Sequence, residues 1–423
     1  MFGLILLVFL AVSVVFGTPM ATGMTISGLL PMLSDASYSL SDYVTWMIAG
    51  NKNIYLAIAF FVVSGNLMTK GNLSEKVYEM FAYFLGDKKG FLPICAILTA
   101  TFYGMVSGSA IAVTAAVVSL CLPILTRVGY KRDYYAALLC AAGCLGMTIP
   151  PSSVIIGVAG MTNADTTVAY RYAMVIGLVM ILALIICSLL HTKKDSGNRE
   201  LIMQEYKERR EKGFAKVFGE SIWALLMPVL ILGTIFTNVL TANEAAAFSV
   251  VYTALVTVYV YKTLTWKEVW QITVESVKNI APLAVTLMSA IAFGNAITAT
   301  GANEAVESLL SSNFATPTAF MILNVILYTI TGFFMNVMYI VTPILLPAAQ
   351  TLGVNIELWC AVSAAVGSLA LLTPPFGLGL VIAAPMANMQ IGTLFKKVVP
   401  IWLLLTLIAT VFAVFPVLCT WVA

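Results

Sequence analysis

The chain has 423 residues, 61% of them hydrophobic and 10% charged, with a formal net charge of +3. A water-soluble domain carries about 25% charged residues, so a soluble globular fold is excluded, and apolar runs long enough to span a bilayer make this an all-α polytopic membrane protein. The small positive charge implies no nucleic-acid partner, because the basic residues sit in loops, where they report topology.

Phe2–Phe16 is apolar, Pro19 interrupts, and Thr25–Leu33 continues, which predicts one broken helix or two close spans. No basic residue precedes the first apolar run, so a cleaved signal peptide is not expected. Ser34–Asn53 is polar, with Tyr43 and Trp46 suited to an interface. Ile54–Met68 reads as a span carrying Gly65-Asn66. Lys70–Lys89 is amphipathic and basic, which places it on the cytoplasmic surface.

Phe91–Val106 and Ala110–Thr126 follow, joined by Ser107-Gly108-Ser109. Each arm is about 16 residues, or ~24 Å as a helix, short for a span of ~20 residues. Both flanks are basic (Lys88-Lys89; Arg127, Lys131 and Arg132), so both ends lie on the cytoplasmic side. A re-entrant hairpin fits this pattern, and two full spans would give the same charges. Tyr134–Gly146 re-enters and is broken by Thr148-Ile149-Pro150-Pro151-Ser152; Ser153–Met161 completes the crossing. The loop Thr162–Thr167 has no Lys or Arg, as an outer loop should, and Val168–Leu190 returns to the basic linker His191–Lys216, read as a solvated amphipathic helix. Trp223–Leu240, Ala245–Tyr261 and Pro282–Ala299 read as further spans.

Between Lys278 and Lys396 there is no Lys or Arg. A second pair of arms, Thr318–Met335 and Val337–Leu346, meets around Phe334-Met335-Asn336, and its flanks are acidic or uncharged, so this hairpin opens outward. Leu358–Leu372 is broken by Thr373-Pro374-Pro375, Gly377–Ala387 follows, and Val399–Val422 ends the chain. "GMTIPPSSVIIGVAGM" thus matches "ALLTPPFGLGLVIAAPM" in an oppositely oriented half. Two inverted repeats, each with a hairpin and a Pro-Pro-broken helix, point to a secondary transporter with its site near the midplane. The expected organisation is N-terminal scaffold helices and a surface helix (1–90), a first transport repeat (91–190; hairpin 91–126, broken helix 134–161), a linker with scaffold helices (191–280), and a second repeat with a final helix (281–423; hairpin 318–346, broken helix 358–387).

A broken helix leaves free carbonyls at one end and free N–H groups at the other. The first suits a cation and the second an anionic group. Ser107, Ser109, Thr148, Ser152, Asn336 and Thr373 add neutral oxygens beside these ends, and Ser153 joins the candidates for the solute. The proposed core has no Asp, Glu or His. A proton relay needs such groups, whereas Na+ needs only neutral oxygens, so Na+ coupling is favoured over H+. No Walker sequence is present, hence no ATP hydrolysis by this chain. The seven cysteines lie in apolar surroundings, and Cys140 and Cys144, one helix turn apart, read as packing thiols. His191 reads as an interfacial residue. Without paired carboxylates or a zinc-protease motif, an enzyme is the weakest reading.

"SGNLM" at Ser64–Met68, "SGSA" at Ser107–Ala110, "IPPS" at Ile149–Ser152, "NEAAA" at Asn243–Ala247, "TPILLP" at Thr342–Pro347 and "LTPPFGL" at Leu372–Leu378 occur in the order in which they occur in one family. Over nearly its whole length the chain resembles the large membrane subunit of tripartite ATP-independent periplasmic (TRAP) transporters, the DctM-like family. The resemblance implies an elevator-type ion-transporter-like fold, in which a domain carrying both hairpins slides against a scaffold. It also implies Na+-driven uptake across a bacterial inner membrane of a small organic anion, a carboxylate or sulfonate, with a small four-helix membrane subunit and a periplasmic substrate-binding protein as partners. By that likeness Ser107, Gly108 and Ser109 would gather with Gly146, Thr148 and Pro150 around one Na+, and Asn336 with Thr373 and Pro374 around another. Ser109, Ser152, Ser153 and Asn336 would contact the solute. The chain departs from the family in four ways: Val113 and Asn336 stand where Asp is usual, the arm between Asn336 and Thr342 is shortened, and Ala299-Thr300 precede Gly301 where an Arg is frequent. A self-sufficient symporter or exchanger of the wider ion-transporter superfamily is the alternative, and partner dependence separates the two.

Overall fold

In lipid every backbone polar group must be satisfied within the chain, and helices do this locally. All elements of the computed structural model are accordingly helical, with no strand among the described residues, which are 18–33, 39–49, 52–88, 90–301, 304, 307, 308, 310, 314, 316–331, 338–374 and 377–422. Six of these helices are long and apolar enough to cross a membrane.

The N-terminal part comprises α1 (Met20–Leu29), α2 (Leu40–Ala49), α3 (Lys52–Lys70) and α4 (Leu73–Leu85). The expected span Phe2–Phe16 lies outside the described residues. α3 and α4 are bent by 66° at Gly71-Asn72. α4 buries Val77 and Tyr78 while carrying Glu75 and Glu79, as the amphipathic pattern requires. The first hairpin is α5 (Phe91–Ser107) and α6 (Ala110–Arg127), and the first broken helix is α7 (Arg132–Cys144), a tight turn at Leu145–Met147, and α8 (Ser153–Thr162). α9 (Thr166–Thr192) and the polar α10 (Arg199–Glu211) follow, then α11 (Phe214–Phe236) and α12 (Ala242–Leu255), which continues as a π-helical turn to Val260.

α13 (Trp266–Ala299) departs most from expectation. The span expected here was Pro282–Ala299, beginning at the proline. The chain instead forms one helix of 34 residues with Pro282 inside it, about 51 Å long, started by a Thr265/Glu268 capping box. The boundary expected at 280/281 falls inside this helix, which packs against α1, α2 and α3. Pro282 is exposed and lines a cavity, so its ring meets no packed neighbour that would force the helix to end.

α14 (Pro317–Thr331) and α15 (Met338–Thr351) flank the second expected tip. That tip, Phe334-Met335-Asn336, lies outside the described residues. α15 runs five residues past its expected end, through Pro343 and Pro347. α16 (Ile356–Ala370) and α17 (Leu378–Met386) are the parts of the second broken helix, and α18 (Ile391–Val414) and α19 (Val417–Thr420) end the chain, with Pro416 breaking the expected single span.

Two groups of helices emerge from the packing. α3 packs on α12 and α13, tied by Ser64 Oγ to Thr253 Oγ1 at 3.1 Å and Asn66 Nδ2 to Ser276 Oγ at 2.8 Å. α4 packs on α11, with Lys76 paired to Glu220 at 2.8 Å. In the other group the contacts are reciprocal. α8 packs on α15 and α16, while α17 packs on α6 and α7; α9 packs on α16, while α18 packs on α7. Lys397 of α18 meets Asp133 of α7 at 2.7 Å. Between α14 and α16 a buried chain runs from Trp359 Nε1 to Asn324 Oδ1 (2.8 Å) and from Asn324 Nδ2 to Ser363 Oγ (3.3 Å). Fully satisfied, such a network fixes the relative position of its two helices.

Candidate functional site

At the first hairpin tip, Gly108 closes α5 with φ +56 and its N–H bonds Gly104 O at 2.9 Å. Ser109 then caps α6 by accepting from Ala112 N–H at 3.4 Å. The left-handed residue ends one helix and the serine starts the next, the pairing that helix ends favour. The tip rests on the first broken helix. Ser153 Oγ donates to Gly108 O at 3.1 Å, and a Cβ added to Gly108 would lie 2.7 Å from Pro151 O. One turn earlier, a Cβ on Gly104 would lie 2.6 Å from Gly146 Cα, so two glycines allow backbone to meet backbone.

The structure therefore brings Ser107, Gly108, Ser109, Gly146, Pro150 and Ser153 into one region. Thr148 is buried and turns its hydroxyl across the molecule to Ser368 Oγ at 2.8 Å, joining the two broken helices. Ser152 is also buried. Its hydroxyl donates to Met147 O and accepts from Ile155 N–H, capping α8. In the second half, Thr373 Oγ1 donates to Ala370 O at 2.7 Å, leaving its lone pairs available. The carbonyls of Leu371 and Thr373 approach Gly377, and Pro374 is half-buried. Asn336 is outside the described residues.

Beside the tip lies a cavity of about 500 Å³. Its described lining contains Ser109, Ala110, Ile111 and Ala112 at the start of α6, Ser153 and Val154 at the start of α8, Met338 and Tyr339 at the start of α15, and Leu378 at the start of α17. Four helix N-termini thus edge one cavity. The ends of other helices border it too, through Met147, Ala370 and Leu371. α3 and α13 supply a wall containing Val62, Asn66, Asn279, Ile280, Pro282 and Leu283. No Asp, Glu, His, Lys or Arg is among the described lining residues. Ser109 and Ser153 line the cavity, while Ser152 stands behind the wall. Sequence reasoning missed Asn279 because it lies in the stretch read as preceding a helix start at Pro282. Its spacing of three from Ser276 would have put both on one face of a continuous helix.

Among the described residues no group of three or more His, Cys, Asp or Glu is placed to hold a metal ion. Any cation held here would rest on neutral oxygens. Cys140 and Cys144 are buried and unpaired, and Cys144 Sγ packs against Gly379. His191 stacks on Tyr134 with ring centroids 3.5 Å apart, where the start of α7 meets the end of α9.

A family model described as the DctM component of tripartite ATP-independent periplasmic transporters matches residues 4–418. The chain belongs to the DctM family. It is a membrane subunit of a TRAP transporter in the bacterial inner membrane and not an enzyme. A C4-dicarboxylate TRAP transporter large permease protein of Pseudomonas aeruginosa is 30% identical over 84% of this chain and 82% of its own length. A sialic acid TRAP transporter large permease protein of Vibrio cholerae is 26% identical over 95% of this chain and 93% of its own. An isethionate TRAP transporter permease protein of Oleidesulfovibrio alaskensis is 29% identical over 93% of this chain, which spans 62% of that relative's length. In fold the chain is similar to the YdaH transporter of Alcanivorax borkumensis (TM-score 0.65, 16% identity, 91% and 90% coverage). It is similar also to MtrF of Neisseria gonorrhoeae (TM-score 0.65, 11% identity, 91% and 84% coverage).

Proposed function

We propose that this DctM-family chain is the large permease of a Na+-driven importer of a small organic anion, acting with a small four-helix membrane subunit and a periplasmic binding protein. One observation carries the reading: a cavity of about 500 Å³ is edged by the first turns of α6, α8, α15 and α17 and has no charged side chain among its described lining residues. Each helix N-terminus carries roughly half a positive charge and unpaired N–H donors. Four of them would bind a carboxylate or sulfonate without a buried lysine or arginine. The substrates for which the relatives are named, C4-dicarboxylates, sialic acid and isethionate, are all organic anions, which supports the class.

The carbonyl ends beside the cavity support cation coupling. Ser107, Gly108 and Ser109 with Gly146, Thr148 and Pro150 form the first Na+ set in this reading, and Thr373 and Pro374 with Asn336 the second. Na+ bound there would offset the charge of the incoming anion, so that solute and cation cross together. The inverted halves and the reciprocal packing of broken helices suit an elevator movement, in which the hairpin-bearing group slides along α3 and α13.

Proteoliposomes holding the complete transporter, loaded with the binding protein on the outside, test this. Uptake of a radiolabelled organic anion is expected with an inward Na+ gradient and not with a pH gradient in Na+-free buffer. Robust uptake under the pH gradient alone would replace Na+ with H+. Uptake by this chain alone, without its partners, would favour a self-sufficient carrier. Ser109→Ala and Thr373→Ala are each expected to raise the Na+ concentration needed for half-maximal uptake. An unchanged Na+ dependence in both would remove these hydroxyls from the sites.

A further inference from the structure

The wall from α3 and α13 is apolar except for two carboxamides, Asn66 and Asn279. The orientation of Asn66 follows from its partner. Asn66 Nδ2 lies 2.8 Å from Ser276 Oγ, and the single hydroxyl proton of Ser276 goes to Ile272 O at 2.6 Å. The serine oxygen can then only accept, so the amide nitrogen must face it and the carboxamide oxygen must not. Asn66 lines the cavity, and the one hydrogen bond its side chain makes among the described residues is the one from Nδ2 to Ser276.

We infer that Asn66 is a specificity-determining residue that accepts a hydrogen bond from a hydroxyl group on the transported anion, so the solute is a hydroxylated organic anion. This rests on the anion reading of the same cavity. The helix N-termini offer only donors and so take the charged group, which offers only acceptors. A fixed acceptor on another wall has no use for that group. It requires a donor, and a hydroxyl is the donor a small anion carries without adding charge. A solute lacking it would displace water from Asn66 Oδ1 and leave the oxygen unpaired, which is penalised more than the bond itself is rewarded. Asn279, one turn from Ser276 on the same helix, adds a second polar group to the same wall.

The test uses the purified full chain in Na+ buffer, with affinity read as protection from thermal unfolding. The probes are pairs differing by one hydroxyl: 2-hydroxyethanesulfonate and ethanesulfonate, lactate and propionate, malate and succinate. In the pair whose size fits, the hydroxylated member is expected to bind about 3- to 10-fold more tightly, the range for one net hydrogen bond. Asn66→Leu should abolish that ratio by weakening the hydroxylated member alone. Ser276→Ala lets the Asn66 amide turn over and should lower the ratio while leaving the deoxy member unchanged; it decides the matter if Asn66→Leu does not fold. Equal affinities within every pair, or a ratio retained in these variants, would overturn the assignment of Asn66 while the anion cavity stands. Binding of no member of any pair would overturn the anion reading, and this one with it.

Discussion

Placing an alanine at Gly108 tests the geometry on which the site depends. Gly108 has φ +56, where a side chain costs roughly 1–2 kcal/mol. The new Cβ would also lie 2.7 Å from Pro151 O, well inside the ordinary contact of about 3.4 Å. That oxygen belongs to the backbone of the broken helix and cannot rotate away, so the tip must lift. Overpacking of this kind costs about 1–3 kcal/mol. Together Gly108→Ala should lose about 2–5 kcal/mol, read as the shift in free energy of reversible denaturant unfolding of the purified chain. Gly233→Ala is the control. That glycine lies inside α11 with nothing within 4 Å of an added Cβ, so alanine there should gain about 0.5–1 kcal/mol. Gly108→Ala within about 0.5 kcal/mol of the wild type, a shift that surface substitutions commonly give, would refute the contact between tip and broken helix. So would Gly233→Ala proving equally damaging.

Thr148→Val removes the hydroxyl pair between the broken helices. Because Ser368 already donates to Ala365 O at 2.7 Å, a double-mutant cycle with Ser368→Ala should give a coupling of about 0.5–1.5 kcal/mol; strict additivity would mean the bond is not formed. Ser153→Ala should lose about 1 kcal/mol through the bond to Gly108 O and raise the Na+ concentration for half-maximal uptake. If stability drops but Na+ dependence does not move, Ser153 is a structural prop only. Lys397→Met breaks the ion pair with Asp133, whose side chains are 47% and 40% exposed. The unfolding free energy should change by less than about 1 kcal/mol; a larger loss would mean that the pair is shielded from water in the assembled transporter.

The chain's own composition and pattern determined that it is helical and membrane-embedded, since 61% hydrophobic residues gathered in long continuous runs suit spanning helices rather than the short alternating strands of a barrel. Local chemistry also fixed where the first hairpin turns and where the first broken helix parts. A glycine in the left-handed region, capping serines and paired prolines act within a few residues, so their effect is readable in order along the chain. The length of α13 was not readable, because a proline ahead of an apolar run resembles a boundary, and only the packing of the whole helix on α1, α2 and α3 makes it one element. Nor could sequence say which serine faces the cavity. Ser152 and Ser153 are chemically alike, and only the helix phase of α8 turns one to its own cap and the other to Gly108. The cavity itself was decided by tertiary structure alone, because it brings α6, α8, α15 and α17 to one place from distant parts of the chain, together with Asn66 of α3 and Asn279 of α13. Nothing local in those segments encodes that meeting; it comes from which helix packs against which.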